Sequence, residues 1–124
     1  MEVRFGNRKI LDHQVVYRRN VLAEPLVRWT FTKRRLYSLM LIAGDTVYWF
    51  VVDIPGNNIL KGKIVDNYDA PQKYGNYLIL IREQQGPMEG DPYLMFDQGQ
   101  PYLSFFFSIV PDDIIPSAKT SVCE

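Results

Sequence analysis

The sequence is short of the residues that enzymes most often use for nucleophilic, acid–base and metal chemistry. It has one cysteine, Cys123, and one histidine, His13. A single cysteine excludes an internal disulfide, and one imidazole with one thiol is too little for the common zinc sites. A Ser-His-Asp triad would have to use His13, which lies among polar residues. We therefore expect no catalytic residues, no metal site and no cofactor, and the single cysteine favours a reducing, cytoplasmic compartment.

Long apolar runs and glycine-rich phosphate loops are missing too. No apolar stretch approaches the roughly 18 residues that mark a membrane-spanning helix. The first residues include Glu2 and Arg4 rather than an apolar leader, and neither GxxxxGK nor GxGxxG occurs. These absences predict a soluble, intracellular protein with no transmembrane segment and no nucleotide-binding loop.

The net charge of the chain is zero, but its cationic and anionic residues are unevenly distributed along the sequence. Residues 1–35 hold nine Lys or Arg and three Asp or Glu, a balance of +6, whereas residues 36–124 hold five and eleven, a balance of −6. The cations could be solvated strand edges, where they block aggregation. They could also meet an acidic partner such as phosphate, lipid head groups or nucleic acid. The spacing alone leaves open whether they form one patch.

What the sequence does contain is a series of short apolar segments rich in β-branched and aromatic side chains. The predicted strands are Leu39–Ile42, Val47–Val52, Leu78–Ile81 and Leu103–Val110, with Leu26–Thr32, Val3–Phe5 and Gln14–Tyr17 less clearly patterned. The first three have the continuous apolar character of strands buried on both faces. No segment predicts a long helix. The pattern predicts one all-β domain of the sandwich or barrel type over residues 1–124, with a loosely ordered tail over residues 111–124.

Several fragments follow the order and spacing of one known family. Trp49–Asn57 reads Trp-Phe-Val-Val-Asp-Ile-Pro-Gly-Asn, and Tyr77 is followed by Glu83-Gln84 and by Pro87. Further matching positions are Val3–Gly6, Val21, Pro25, Trp29, Leu36–Ile42, Gly62, Tyr68, Pro71, Thr120 and Cys123. Together these fragments resemble the phosphatidylethanolamine-binding protein (PEBP) family, from about residue 3 to residue 110.

The resemblance implies two packed antiparallel β-sheets with Greek-key connections. It also implies a small pocket that binds phospholipid head groups or phosphate-like anions, and contacts with other proteins rather than enzyme activity. The loops are shorter than the family's, which fits a minimal homologue such as a large DNA virus carries.

The residues that correspond to the family pocket differ from the family pattern. Ala43–Thr46 stands in place of an Asp-Pro-Asp-x-Pro loop and keeps one carboxylate, Asp45. Tyr48 and Gly75 stand where the family has its two histidines, and Tyr77 keeps the last residue of a Gly-x-His-Arg-Tyr motif. Tyrosine donates one neutral hydrogen bond, whereas a protonated histidine donates two charge-assisted ones. We therefore expect this pocket to bind phosphate-like head groups weakly or not at all.

Three functional interpretations follow. The first is a non-enzymatic PEBP-like module that acts through protein–protein interaction and has a degenerate pocket at Asp45, Tyr48, Gly75 and Tyr77. The second keeps phospholipid or anion binding in the altered pocket, with charge supplied by Lys73 or Arg82. The third is nucleic-acid binding through the basic first third. The candidate anion-contacting surface residues are Lys33, Arg34, Arg35, Lys73 and Arg82.

Overall fold

The computed structural model describes residues 1–98, 102–112 and 122–123. In this part of the chain ten strands, two short 3₁₀ helices and one α-helix occur. The strands are β1 (Glu2–Phe5), β2 (Arg8–Ile10), β3 (Gln14–Tyr17), β4 (Leu26–Arg28), β5 (Leu36–Ala43), β6 (Thr46–Pro55), β7 (Lys63–Asp66), β8 (Gly75–Gln84), β9 (Tyr102–Val110) and β10 (Val122–Cys123). The 3₁₀ helices are Arg18–Val21 and Ile59–Lys61, and the α-helix α1 is Pro92–Asp97.

The strands form a three-stranded sheet, with order β2-β1-β4, and a seven-stranded sheet, with order β10-β3-β9-β8-β5-β6-β7. Strands β5, β6 and β7 pair antiparallel in sequence, and β8 returns to pair antiparallel with β5. The resulting spatial order 8-5-6-7 is a Greek key. The predicted all-β fold with Greek-key connections and little helix is thus confirmed.

One side of the large sheet departs from a purely antiparallel arrangement. Strand β3 pairs parallel with β9 and also with β10. Two parts of the stretch expected to be a loose tail are ordered. Val122–Cys123 adds a strand to the large sheet, and Asp112 accepts a hydrogen bond from the backbone N–H of Arg19 at 2.9 Å. The rest of that expectation, residues 113–121 and 124, lies outside the described residues.

The main core lies between the two sheets. Alternation along β1 and β4 turns Val3, Phe5 and Val27 toward the large sheet, where the ring of Phe5 meets the edge of Phe107 at 5.9 Å. The central strands β5, β6 and β8 are covered on both sides, which explains their continuous apolar sequences. Their inward residues join the main core, and their outward residues form a second cluster of Met40, Phe50, Val52 and Leu80 with Phe96 of α1.

Helix α1 covers part of the outer face of the large sheet and was absent from the sequence-based prediction. Its first residue is Pro92, whose fixed φ suits the first turn, and the Asp91 side chain caps it by accepting from the Tyr93 backbone N–H at 3.0 Å. Six residues are too few for a helical periodicity to be visible in the sequence. Phe96 anchors the helix with its ring edge-on to Phe50 at 5.5 Å.

Candidate functional site

Tyr48 lies in the core because of a β-bulge. Leu41 pairs with Trp49 and Ile42 pairs with Val47, so Tyr48 has no partner of its own between these pairs. A bulge interrupts the strict alternation of side chains, and here both Tyr48 and Trp49 belong to the core between the sheets.

Tyr77 is held by two rings and a backbone carbonyl. Its ring stacks on that of Phe107 at 5.6 Å between centroids, with 17° between planes, and it meets Tyr48 edge-on at 5.3 Å. Its hydroxyl donates to the Lys73 carbonyl at 2.6 Å. Burial away from water, followed by the hydrogen bond with Tyr48, raises the pKa of Tyr77 to about 12. The phenol is therefore neutral at physiological pH.

Asp45 and Gly75 lie at the same end of the large sheet as the two tyrosines. Asp45 is in the turn that joins β5 to β6, and Gly75 begins β8 with a φ of 127°. Both residues are exposed, whereas the rings of Tyr48 and Tyr77 are 6% and 2% exposed. The fold thus gathers the four predicted pocket residues at one end, but only the tyrosines form a contact pair, and that pair is part of the core.

The cavities described for this chain lie elsewhere. None of five cavities in the described part of the chain is lined by Asp45, Tyr48, Gly75 or Tyr77. The tyrosine pair packs in the manner of core residues.

The five predicted anion-contacting residues are spread over different parts of the fold. Lys33, Arg34 and Arg35 precede β5 at the end opposite Asp45, and Arg35 faces Glu83 at 3.4 Å. Their turn leads from β4 of the small sheet to β5 of the large sheet. Arg82 lies on the outer face of β8, over the Tyr102 ring and hydrogen-bonded to the Asp97 carbonyl. Of the five, Lys73 alone lies beside the tyrosine pair.

The histidine considered for a catalytic triad lies in an exposed turn. His13 is exposed before β3, with a φ of 67°, and its ring stacks on Phe106 at 5.1 Å. Oδ1 of Asp12 accepts from the Phe106 backbone N–H at 2.8 Å and joins this turn to β9, and Oδ2 of Asp12 lies 3.6 Å from Nε2 of His13. Among the described residues, no group of His, Cys, Asp and Glu is placed to hold a metal ion.

A partly buried polar network links β6, β8 and the loop that follows. Asp53 forms a second bulge with a φ of 55°, and its backbone N–H donates to Oε1 of Gln84 at 2.9 Å. Nε2 of Gln84 donates to Oδ1 of Asp53 at 2.8 Å and to the Gly86 carbonyl at 2.9 Å. The Met88 N–H also donates to the Asp53 carboxylate at 2.7 Å. The network fixes the loop over Ser38, and a cavity of about 330 Å³ lies there between this loop and α1.

No protein-family model matches the sequence. The chain is similar to a protein named "Putative odorant-binding protein A5" from Drosophila melanogaster, with 25% identity over 84 residues. The match covers 55% of this chain and 40% of the fly protein, so the chain spans less than half of that relative's length. Among the described residues, no helix combines the length and the apolar character needed to cross a bilayer.

A group of cations that was not predicted from the sequence lies on the outer face of the three-stranded sheet. Arg4, Lys9 and Arg28 come one from each strand and surround Glu2, whose side chain accepts from Nε of Arg4 at 2.6 Å. This hydrogen bond, together with the charges of Lys9 and Arg28, lowers the pKa of Glu2. Strand alternation in the sequence could have placed Glu2 and Arg4 on one face of β1. The pairing of β1 with β2 and β4, which brings Lys9 and Arg28 beside them, was not visible in the sequence.

Proposed function

We propose that this chain is a non-catalytic, PEBP-like binding module that acts through contacts with other proteins. In this proposal the two tyrosines at the family's pocket positions have become part of the core. The observation that carries it is the packing of Tyr48 against Tyr77, with both rings buried at the end of the sheet that also holds Asp45.

The chemistry of this end of the sheet disfavours phosphate. Phosphate is bound best by cations and by charge-assisted hydrogen bonds. The Tyr77 hydroxyl already donates to the Lys73 carbonyl, and burial keeps it neutral. The nearby carboxylate of Asp45 would repel an anion. A head group would have to separate the tyrosine rings and would gain no fixed positive charge from them.

We expect phosphoethanolamine at millimolar concentration to leave the amide resonances of Tyr48 and Tyr77 unshifted in a nitrogen-15 NMR titration. The physical reason is the closed packing of the pair and the missing imidazoles. Titration of a Tyr77→Phe variant provides the control, because it keeps the ring and removes the hydroxyl. Saturable shifts at both tyrosines that vanish in Tyr77→Phe would contradict the proposal and favour binding in an altered pocket.

A second candidate function is binding of a small, partly apolar molecule in the cavity beside α1. Met88 and Met95 give this cavity an adaptable apolar lining, and Ser38 and Gln98 add polar groups. Its volume of about 330 Å³ is at the lower end of the range for ligand pockets. The name of the fly relative also refers to binding of odorants. Titration of the same sample with the apolar dye phenylnaphthylamine separates the candidates, because shifts confined to the residues around Met88 and Met95 would favour this one.

A further inference from the structure

The outer face of the three-stranded sheet carries an excess of positive charge. Lys9 lies directly opposite Arg4, and Arg28 lies opposite Glu2, so three cations share one carboxylate. Like charges placed directly opposite each other on neighbouring strands lower stability. The Arg4 and Lys9 pair is therefore unfavourable for folding, and a negatively charged partner would relieve it.

A groove adjoins this cationic face along β4. Leu26 and Arg28 line both the face and the groove, which has a volume of about 420 Å³ and is closed on its other side by Asn57–Leu60. The side chain of Asn57 holds that segment in place by donating to the Trp29 carbonyl at 3.2 Å. Two large apolar side chains border the groove in water, since Leu26 is 47% exposed and Leu60 is 91% exposed.

Within the described residues, β4 is an edge strand, paired with β1 alone in the three-stranded sheet. An edge strand can accept an added strand from a partner, whose backbone supplies hydrogen bonds while its side chains fill neighbouring pockets. Leu26 lies opposite Arg4 and on the same outer face as Arg28, so cations and an exposed leucine are close together and fit a segment that carries both acidic and apolar side chains. The groove itself contributes one cation, Arg28, and one carboxylate, Glu24, so the charge preference comes from the sheet face.

We propose that the cationic face and the β4 groove form one docking surface for an extended acidic segment of a partner protein, with an apolar side chain of that segment seated between Leu26 and Leu60. This proposal rests on the protein-binding function proposed above and names the surface and the partner chemistry. Nucleic acid fits less well, because Phe5 and Trp29 are buried and none of the residues that line the groove is aromatic. An anionic membrane surface would contact the cations but would not occupy the groove.

The test uses a fluorescein-labelled peptide of alternating Glu and Leu, with fluorescence anisotropy as the readout. We expect Lys9→Glu to weaken binding about ten-fold through charge reversal, and Leu60→Asn to weaken it about ten-fold through lost apolar contact. The matched controls are Lys63→Glu, which changes net charge equally at an exposed residue of β7 outside the groove lining, and Leu94→Asn, which alters an exposed leucine of α1. Each control should stay within about two-fold of the unmodified protein.

Equal weakening by a variant and its control, or no binding at millimolar peptide, would overturn the proposal. So would binding to phosphatidylserine vesicles that Lys9→Glu abolishes while the peptide does not bind, because the occupant would then be a membrane. None of these variants touches the tyrosine pair. If the peptide does not bind and phosphoethanolamine leaves the Tyr48 and Tyr77 resonances unshifted, only this docking surface is rejected. If phosphoethanolamine shifts the two tyrosine resonances, the proposed function is rejected.

Discussion

Replacing Phe107 by alanine should lower the free energy of unfolding by about 4 kcal/mol, since large-to-small changes of buried aromatic residues leave a cavity as well as losing apolar contact. Phe107 is 1% exposed and lies at the centre of the contact between the sheets. It meets Phe5 from the small sheet and stacks on Tyr77 of the large one. Urea denaturation followed by tryptophan fluorescence measures the change.

The neighbouring Phe106 gives a matched control. It has the same side chain on the same strand but points to the outer face, is 39% exposed and stacks on His13. Phe106→Ala should lower the free energy of unfolding by only about 1 kcal/mol, because the Phe106 side chain is already partly exposed to solvent in the folded protein. Equal losses for the two variants would mean that the face of β9 assigned to the core is wrong.

The second large effect is expected for Gln84→Ala, at about 3 kcal/mol of unfolding free energy, because partly buried polar groups would lose their partners. The substitution removes three hydrogen bonds, two with Asp53 and one with the Gly86 carbonyl. The bulge at Asp53 and the loop to Met88 would then lose their link. Hydrogen exchange should show faster exchange at the Asp53 and Met88 amides together with the lower stability.

Gln85→Ala is the control for this prediction. Gln85 is the next residue, is exposed and has no part in the network. Its replacement should change stability by no more than about 0.5 kcal/mol. If Gln84→Ala were equally mild, water would be replacing the Gln84 side chain, and the loop would not depend on it.

The central strands could be predicted from the sequence because both of their faces are covered. Leu39–Ile42, Val47–Val52 and Leu78–Ile81 lie within β5, β6 and β8, and the segment Leu103–Val110 lies within β9. Short elements with few apolar residues were missed, as at Arg8–Ile10 of β2, where one buried isoleucine gives no visible alternation. The segment Leu26–Thr32 is shorter as a strand than predicted, since β4 ends at Arg28 and the chain then leaves the small sheet.

The candidate site was harder to predict because its geometry depends on register. The resemblance placed Tyr48 and Tyr77 together, and the two rings do touch. The sequence did not reveal the bulge that turns Tyr48 inward, since the bulge is defined by the pairing of Leu41 and Ile42 with β6. Likewise, Arg4 and Arg28 are distant in sequence and come together only through the pairing of β1 with β4.

The most direct test of the closed site is the ionisation of the Tyr77 phenol. Because burial raises its pKa from 10.0 to about 12, the unfolded chain releases this proton first as pH rises. The stability that the neutral phenol contributes is therefore complete below about pH 10 and is lost between about pH 10 and about pH 12. The Tyr77→Phe variant should lack this part of the loss.

The measurement is a pH titration of the protein carrying a carbon-13 label at Cζ of tyrosine, with the Tyr77 resonance assigned by comparison with Tyr77→Phe. A Tyr77 resonance that stays at its neutral position until close to pH 12 is the result we predict. Ionisation of Tyr77 in the folded protein near its ordinary value of 10.0 would contradict the account, because water would then reach the phenol and the pair would line an open pocket.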